Sequence, residues 1–181
     1  HSPYTLSLHD ALPIYRNEDG TVVFKRALAI YEELHGSESY EAGMCLSYLA
    51  TASTNAGRRQ DSCDLREKAL GIERRLRGTD TQDTLYLMQS LSYDYSAIGK
   101  SEKAMVLQNE VLEGYRNLYN EENKYVLEAV FGLAALHHSL ENLEEAATLY
   151  QQALQGRRKL LGDSHEDTLS SIETLDRKSV V

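Results

Sequence analysis

His137 and His138 are adjacent, so on a helix their side chains diverge by about 100° and do not converge on one metal ion. No His-x-x-x-His pair and no Cys-x-x-Cys pair supplies further ligands. Cys45 and Cys63 are the only cysteines, too few for a four-ligand zinc site or a disulfide framework. Read as early residues of two antiparallel helices, they fall at opposite ends, on the order of 10 Å apart. A disulfide tolerates a Cα separation of roughly 7 Å, so two reduced thiols in an intracellular protein are expected. Nucleophilic chemistry has no foothold: there is no Gly-x-Ser-x-Gly elbow, phosphate-binding glycine loop or Gly-x-Gly-x-x-Gly turn. Carboxylates are plentiful, yet they fall on polar helix faces where hydration keeps them ordinary. No catalytic residue, metal or cofactor is assigned, and the chain is not read as an enzyme.

The charged runs have structural explanations. Arg58, Arg59, Arg66, Lys68, Arg74, Arg75 and Arg77 are interleaved with Asp61, Asp64, Glu67 and Glu73 at helical ion-pair spacing. Arg74, Arg75 and Arg77, like Arg157, Arg158 and Lys159, stand at a helix C-terminus, where cations favour the helix dipole. Glu141, Glu144 and Glu145 surround a helix start for the converse reason. The net charge of −9 argues against a nucleic-acid partner and against an anionic membrane surface. No apolar run approaches the roughly 20 residues of a bilayer span. With 41% hydrophobic and 26% charged residues the composition is globular, and two prolines in 181 residues permit long helices.

What must position any site is a repeat. Ala27–Leu34, Ala69–Leu76, Val111–Leu118 and Ala153–Leu160 align at a fixed displacement of 42 residues, without insertion or deletion. Leu28, Leu70, Leu112 and Leu154 share one column, and Leu34, Leu76, Leu118 and Leu160 another. Further columns hold Leu49, Leu91 and Leu133, then Leu65, Leu107 and Leu149. Within each period the apolar steps are three and four, as in Ala104, Leu107, Val111, Leu112, Tyr115 and Leu118, which is helical spacing. Gly36, Gly78, Asn120 and Gly162 suit left-handed C-terminal caps. Ser39, Thr81 and Asn123 can cap the helices that follow, and Gly57 and Gly99 mark turns inside the units. A helix pair of this kind buries its apolar face only by stacking on its neighbours. The expected fold class is therefore all-α, a superhelical α-α solenoid of stacked antiparallel helix pairs.

These residues resemble a family. Leu49-Ala50, Ala104 and Ala146 ahead of Leu107 and Leu149, and Ala69 and Ala153 are similar to tetratricopeptide signature positions. The 42-residue period resembles the kinesin-light-chain type, and Arg157–Leu169 is the segment most similar to it. Where that type carries paired asparagines that hold a bound peptide's backbone, this chain has Ser47-Tyr48, Gln89-Ser90 and Phe131-Gly132. The late aromatic of the second helix is replaced by Arg66 and Gln108 and kept only as Tyr150.

The repeat array is placed at 15–175: a trailing second helix at about 22–35, full units at about 39–78, 81–120 and 123–162, and an opening helix from about 165. Residues 1–14 and 176–181 share none of the periodicity. The first resembles translated sequencing-adapter read-through, and both are expected to be non-native ends of a fragment.

The resemblance implies that the first helices of the units line a concave face. Its candidate peptide-binding residues are Met44, Ser47 and Thr51, then Tyr86, Gln89 and Tyr93, then Glu128, Phe131 and His138. Tyr86 and Tyr93 are two helical turns apart and share a face. Tyr86 is assigned to the groove, while Tyr93 and Phe131 stay open between groove and core. The expected function is a cytoplasmic scaffold that binds a protein or peptide partner. The alternatives are a regulatory or oligomerisation array of a larger signalling protein, for example beside a nucleotide-binding domain, and an enzyme with an unrecognised groove site. Exposed terminal repeats further imply marginal stability or end-to-end self-association. Sedimentation of the chain should show concentration-dependent association; a monodisperse monomer with a sharp, high melting transition would contradict this.

Overall fold

A computed structural model describes residues 18–178, in which every regular element is a helix. The segment 1–14 lies outside the described residues, as do the last three residues of 176–181. The chain divides into two units, His1–Gly78 and Thr79–Val181.

The first unit holds α1 (Glu18–His35), α2 (Tyr40–Asn55) and α3 (Arg59–Arg77), with α2 packed on both others. Phe24 of α1 is buried and stacks on Tyr48 of α2 at 4.9 Å between ring centroids, beside Leu49. Cys45 and Cys63 are both buried thiols. Burial, reinforced by Glu32 and Glu41, pushes the Cys45 thiol up to about 11.

The second unit holds α4 (Gln82–Ala97), α5 (Ser101–Leu118), α6 (Lys124–Ser139), α7 (Leu143–Leu161) and α8 (Glu166–Lys178). Each packs on the next, and α4 also touches α6, so first helices of successive pairs are neighbours. The starts of α2, α4, α6 and α8 are displaced by 42 residues each time, as are those of α3, α5 and α7. The all-α class of adjacent helix pairs inferred from the periodicity is the architecture observed.

Local chemistry explains the boundaries. Ser39 Oγ accepts from the Ala42 amide, Thr81 Oγ1 from Thr84 and Asn123 Oδ1 from Tyr125, so all three first helices have side-chain N-caps. Gly78 and Gly162 close α3 and α7 at φ 84° and 86°, a region that a β-carbon disfavours. Asn120 does not follow them: α5 stops at Leu118 and its cap, Tyr119, is extended at φ −138°. The column predicts a positive-φ cap there, but with no glycine in it the chain leaves the helix one residue earlier. The inner turn takes φ 75° at Gly57 and 77° at Gly99, and its third instance forces φ 62° on Glu141.

The Leu34, Leu76, Leu118 and Leu160 column is exposed, from 41% to 69%, although periodicity places Leu118 on the apolar face. The second helices α3, α5 and α7 run 18 or 19 residues against 16 for the first helices α2, α4 and α6. Their last turns therefore overhang the partner that would cover them. Polar replacements in the late-aromatic column are buried but bonded. Arg66 donates to Ser62 Oγ and Thr51 Oγ1, and Gln108 Nε2 donates to the Ala129 carbonyl at 2.9 Å. Only Tyr150 keeps the ring, set edge-on to Phe131 at 5.0 Å.

Each full pair is drawn together at one point. A β-carbon on Gly114 of α5 would press into Leu85 of α4, and one on Gly156 of α7 into Leu127 of α6, both inside 3.0 Å. These positions are equivalent in the repeat. In the α2–α3 pair the sizes are exchanged: Gly43 stands where Leu85 and Leu127 stand, and Ile72 faces it at 3.2 Å from the same construction. Gly156→Ala should gain roughly 1 kcal/mol of helix propensity but lose about 1–3 to overpacking. Denaturant unfolding of Gly156→Ala, Leu127→Ala and the double variant should show the pair costing at least about 1 kcal/mol less than the sum. Simple additivity would mean that the two residues do not compete for one volume.

Candidate functional site

The overhanging end of α7 opens a cavity of about 310 Å³ in the second unit. Its walls are the first turns of α6 (Lys124, Leu127, Glu128 and the next-turn Phe131), the end of α7 (Arg157, Leu160, Leu161), Asp167 at the start of α8, and Tyr93 of α4. Antiparallel pairing explains the grouping, because the start of α6 must lie beside the end of α7.

The same columns one repeat earlier are filled. Gln82, Tyr115, Tyr119 and Tyr125 occupy the positions equivalent to Lys124, Arg157, Leu161 and Asp167. Gln82 Nε2 donates to Tyr125 Oη at 2.8 Å, and Tyr119 Oη donates to Gln82 Oε1 at 2.7 Å. The three rings lie 5.4 to 6.3 Å apart, Tyr115 stacked on Tyr125. Aromatic rings tied by two hydrogen bonds occupy the first instance. Charged side chains that do not clasp one another leave the second open.

Both cations of the cavity are turned onto rings. The Arg157 guanidinium lies 4.6 Å from the Phe131 centroid, and its Nη1 donates to the Asp167 carbonyl at 3.1 Å and to Ser171 Oγ at 2.8 Å. Lys124 Nζ lies 4.8 Å from the Tyr125 centroid. Glu128, four residues after Lys124, forms no ion pair with either. Loss of water raises its carboxyl above the ordinary range, with Arg157 and Lys124 opposing and Asp167 adding to the rise. Crowding first and the charge of Glu128 second push the Tyr93 phenol up to about 12. The same two causes, in the same order, raise Tyr115, whose hydroxyl is fully buried without a hydrogen-bond partner.

Of the nine residues singled out from the sequence, Tyr93, Glu128 and Phe131 line this cavity. Tyr86 is 63% exposed on α4, and Tyr93 is 41% exposed two turns along. Gln89 is buried at 2% and points inward, its amide donating to Tyr93 Oη at 3.0 Å; it supports the tyrosine and offers no surface. Phe131 belongs to both groove and core, with one edge on Tyr150 and one face under Arg157. His138 stands in the last turn of α6, outside the cavity lining; the position in register with Thr51 and Tyr93 is Ala135, packed against the α6–α7 core. In the first unit, Met44, Ser47 and Thr51 are half-buried on α2. The two hydroxyls donate back to the Gly43 and Ser47 carbonyls of their own helix.

Sequence reasoning sets Arg157 aside as a helix-terminal cation, reads Leu160 only as a repeat column and does not single out Lys124, Leu161 or Asp167. The available signal is the change of type, in fixed columns, from Gln82, Tyr115, Tyr119 and Tyr125 to charged and aliphatic residues. Among the described residues, no cluster of three or more histidine, cysteine, aspartate or glutamate side chains could hold a metal ion. No described helix is long and apolar enough to cross a membrane.

A raised phenol pKa means that the folded chain holds the Tyr93 proton more tightly than the unfolded chain. The stabilisation is complete below pH 10 and is lost as pH rises through about 12. Tyr93→Phe should therefore flatten part of the fall in melting temperature between those values. An unchanged slope would show that the fold does not hold this phenol neutral.

Residues 132–167 match the family model of the tetratricopeptide repeat. No curated protein matches the chain in sequence. Among solved structures, a Podosopora anserina "putative kinesin light chain" with nearly identical TPR-like repeats superposes with a TM-score of 0.80, at 21% identity over 95% of this chain and 83% of that one. A point-substituted form of the same protein gives 0.81 at 21% identity, over 95% and 82%. BtubC (BKLC) from P. vanneervenii gives 0.75 at 20% identity, over 97% and 76%. The chain therefore contains a tetratricopeptide repeat and has the all-α solenoid fold of kinesin-light-chain-like repeat proteins.

Proposed function

We propose that the chain is a protein-interaction scaffold that binds an extended or helical peptide, or a partner domain, on the face of its first helices. The observation that carries this reading is the pair Tyr86 and Tyr93. Two large aromatic residues stand exposed at 63% and 41% on one face of α4, and the lower one opens into a cavity floored by Phe131. Singly exposed apolar residues are ordinary, but aromatic anchors beside a preformed cavity are where interface energy concentrates. A scaffold held by helix packing presents them without an ordering cost on binding.

The cavity also carries four charged side chains beside its apolar floor, an arrangement suited to orienting a ligand segment rather than to processing it. Among the residues lining the cavity, no nucleophile is hydrogen-bonded to a base, and the lining reads as a binding surface.

Peptides selected on the intact chain from a random display library should bind at least about tenfold more weakly to Tyr86→Ala and to Phe131→Ala, the usual scale for an anchor residue. Circular dichroism should show unchanged helicity for Tyr86→Ala. Full binding by both variants would rule this face out.

A further inference from the structure

We propose that the cavity between α6, α7 and α8 receives a cationic side chain, lysine or arginine, of the bound peptide, with the Glu128 carboxylate as its counter-ion. This rests on the first-helix face being the binding face, and it names the chemistry of the occupant.

Glu128 is the first ground. It stands at the cavity wall with no ion-pair partner, because both local cations are engaged elsewhere. Arg157 lies over the Phe131 ring and bonds to α8, and Lys124 lies over the Tyr125 ring. The carboxylate is left beside the Tyr93 ring, a combination that suits an ammonium or guanidinium group, while Phe131 already carries Arg157 on one face. Asp167 also lines the cavity, its carboxylate lying 3.7 Å from His165 Nδ1.

The second ground is the distribution of charge. Helices α4, α6 and α8 together carry seven aspartates and glutamates against three lysines and arginines, whereas α5 and α7 carry five of each. The excess negative charge of the second unit's helices thus lies on its first helices. Asp94 is buried, so the six exposed carboxylates of these helices supply the field that favours an approaching cation. Tyr93, Tyr115 and Glu128 hold their protons more tightly than usual, chiefly through burial, with a smaller contribution from carboxylate charge that Arg157 opposes at Tyr93 and Glu128.

The third ground is the repeat. The column that holds Glu128 holds Tyr86 one unit earlier, and there the neighbouring positions are taken by the hydrogen-bonded Gln82–tyrosine cluster. An open cavity and an unpaired carboxylate arrive together, in the one full pair of the second unit that lacks the cluster. The apolar walls Leu127, Phe131 and Leu160 would cover the methylene stem of a lysine or arginine while its head meets Glu128.

The test is the composition of peptides selected from the same random library on the parent chain and on Glu128→Lys. Parent-selected peptides should be enriched in lysine and arginine beside apolar residues, and a synthesised one should bind about tenfold more weakly to Glu128→Gln, the loss expected for one charge-assisted contact. Glu128→Lys should shift the selection towards acidic peptides. The Glu128 side chain is surface-accessible and makes no ion pair that the fold depends on, so both variants should melt like the parent. Selection of acidic or uncharged peptides by the parent, or indifference to Glu128→Gln, would overturn the cation assignment. If such peptides still depend on Tyr86 and Phe131, the binding face stands and only its occupant is wrong. Peptides indifferent to all these positions, or no enrichment at all, would overturn both.

Discussion

The structure depends on how closely the two helices of a pair can approach. At the same register, α4 with α5 and α6 with α7 place a leucine against a glycine with no room for a β-carbon between them. The third pair solves the same problem with the sizes reversed, Gly43 against Ile72. Two large residues at this point would push the axes apart, and two small ones would leave a void costing on the order of 1 kcal/mol or more. One large and one small residue fix the spacing whichever helix carries the bulk. With that spacing set, Ala104 and Ala146 can be fully buried between the helices, and Ser92 Oγ can reach the Ala104 carbonyl at 2.9 Å.

This exchange also shows which parts of the fold are legible from sequence. Period, helix class and cap residues are each carried by residues whose chemistry acts locally. Ser39, Thr81 and Asn123 cap because their own side chains reach the amides two or three residues on. The Gly–Leu contact is not legible, because it is a relation between columns 29 residues apart and its sign flips between repeats. The exposed leucine column escapes for a related reason. Periodicity reports which face of a helix is apolar, but burial also needs a partner of the same length, and the second helices outrun theirs by two or three residues. Gln89 reads as surface from its spacing, yet the residue that covers it belongs to its own helix, Tyr93 one turn on.

Leu160 and Leu161 wall the candidate site because they lie in that overhang, and Glu128 faces them because α6 begins where α7 ends. Such a hollow is a regular product of unequal helices, and each repeat must either fill it or leave it. Filling takes side chains that satisfy one another, as Gln82 does between Tyr119 and Tyr125. Leaving it open requires that its charges be held apart, and here aromatic rings separate them. Phe131 takes Arg157 and Tyr125 takes Lys124, so each cation acts on the carboxylate only from a distance and neither forms an ion pair with it.

The division of labour follows from the physics of a stacked array. Columns that set helix spacing tolerate one kind of exchange, large for small across the pair, because the volume is conserved. Columns at the overhang carry no such constraint, since solvent or a ligand can occupy what a side chain vacates. Met44, Tyr86 and Glu128 occupy one such column, and they differ in size, polarity and charge without disturbing the displacement of their helices. Variation that would break a core is absorbed at the ends of the helices, and it is there that one repeat can offer a ring while the next offers a charge.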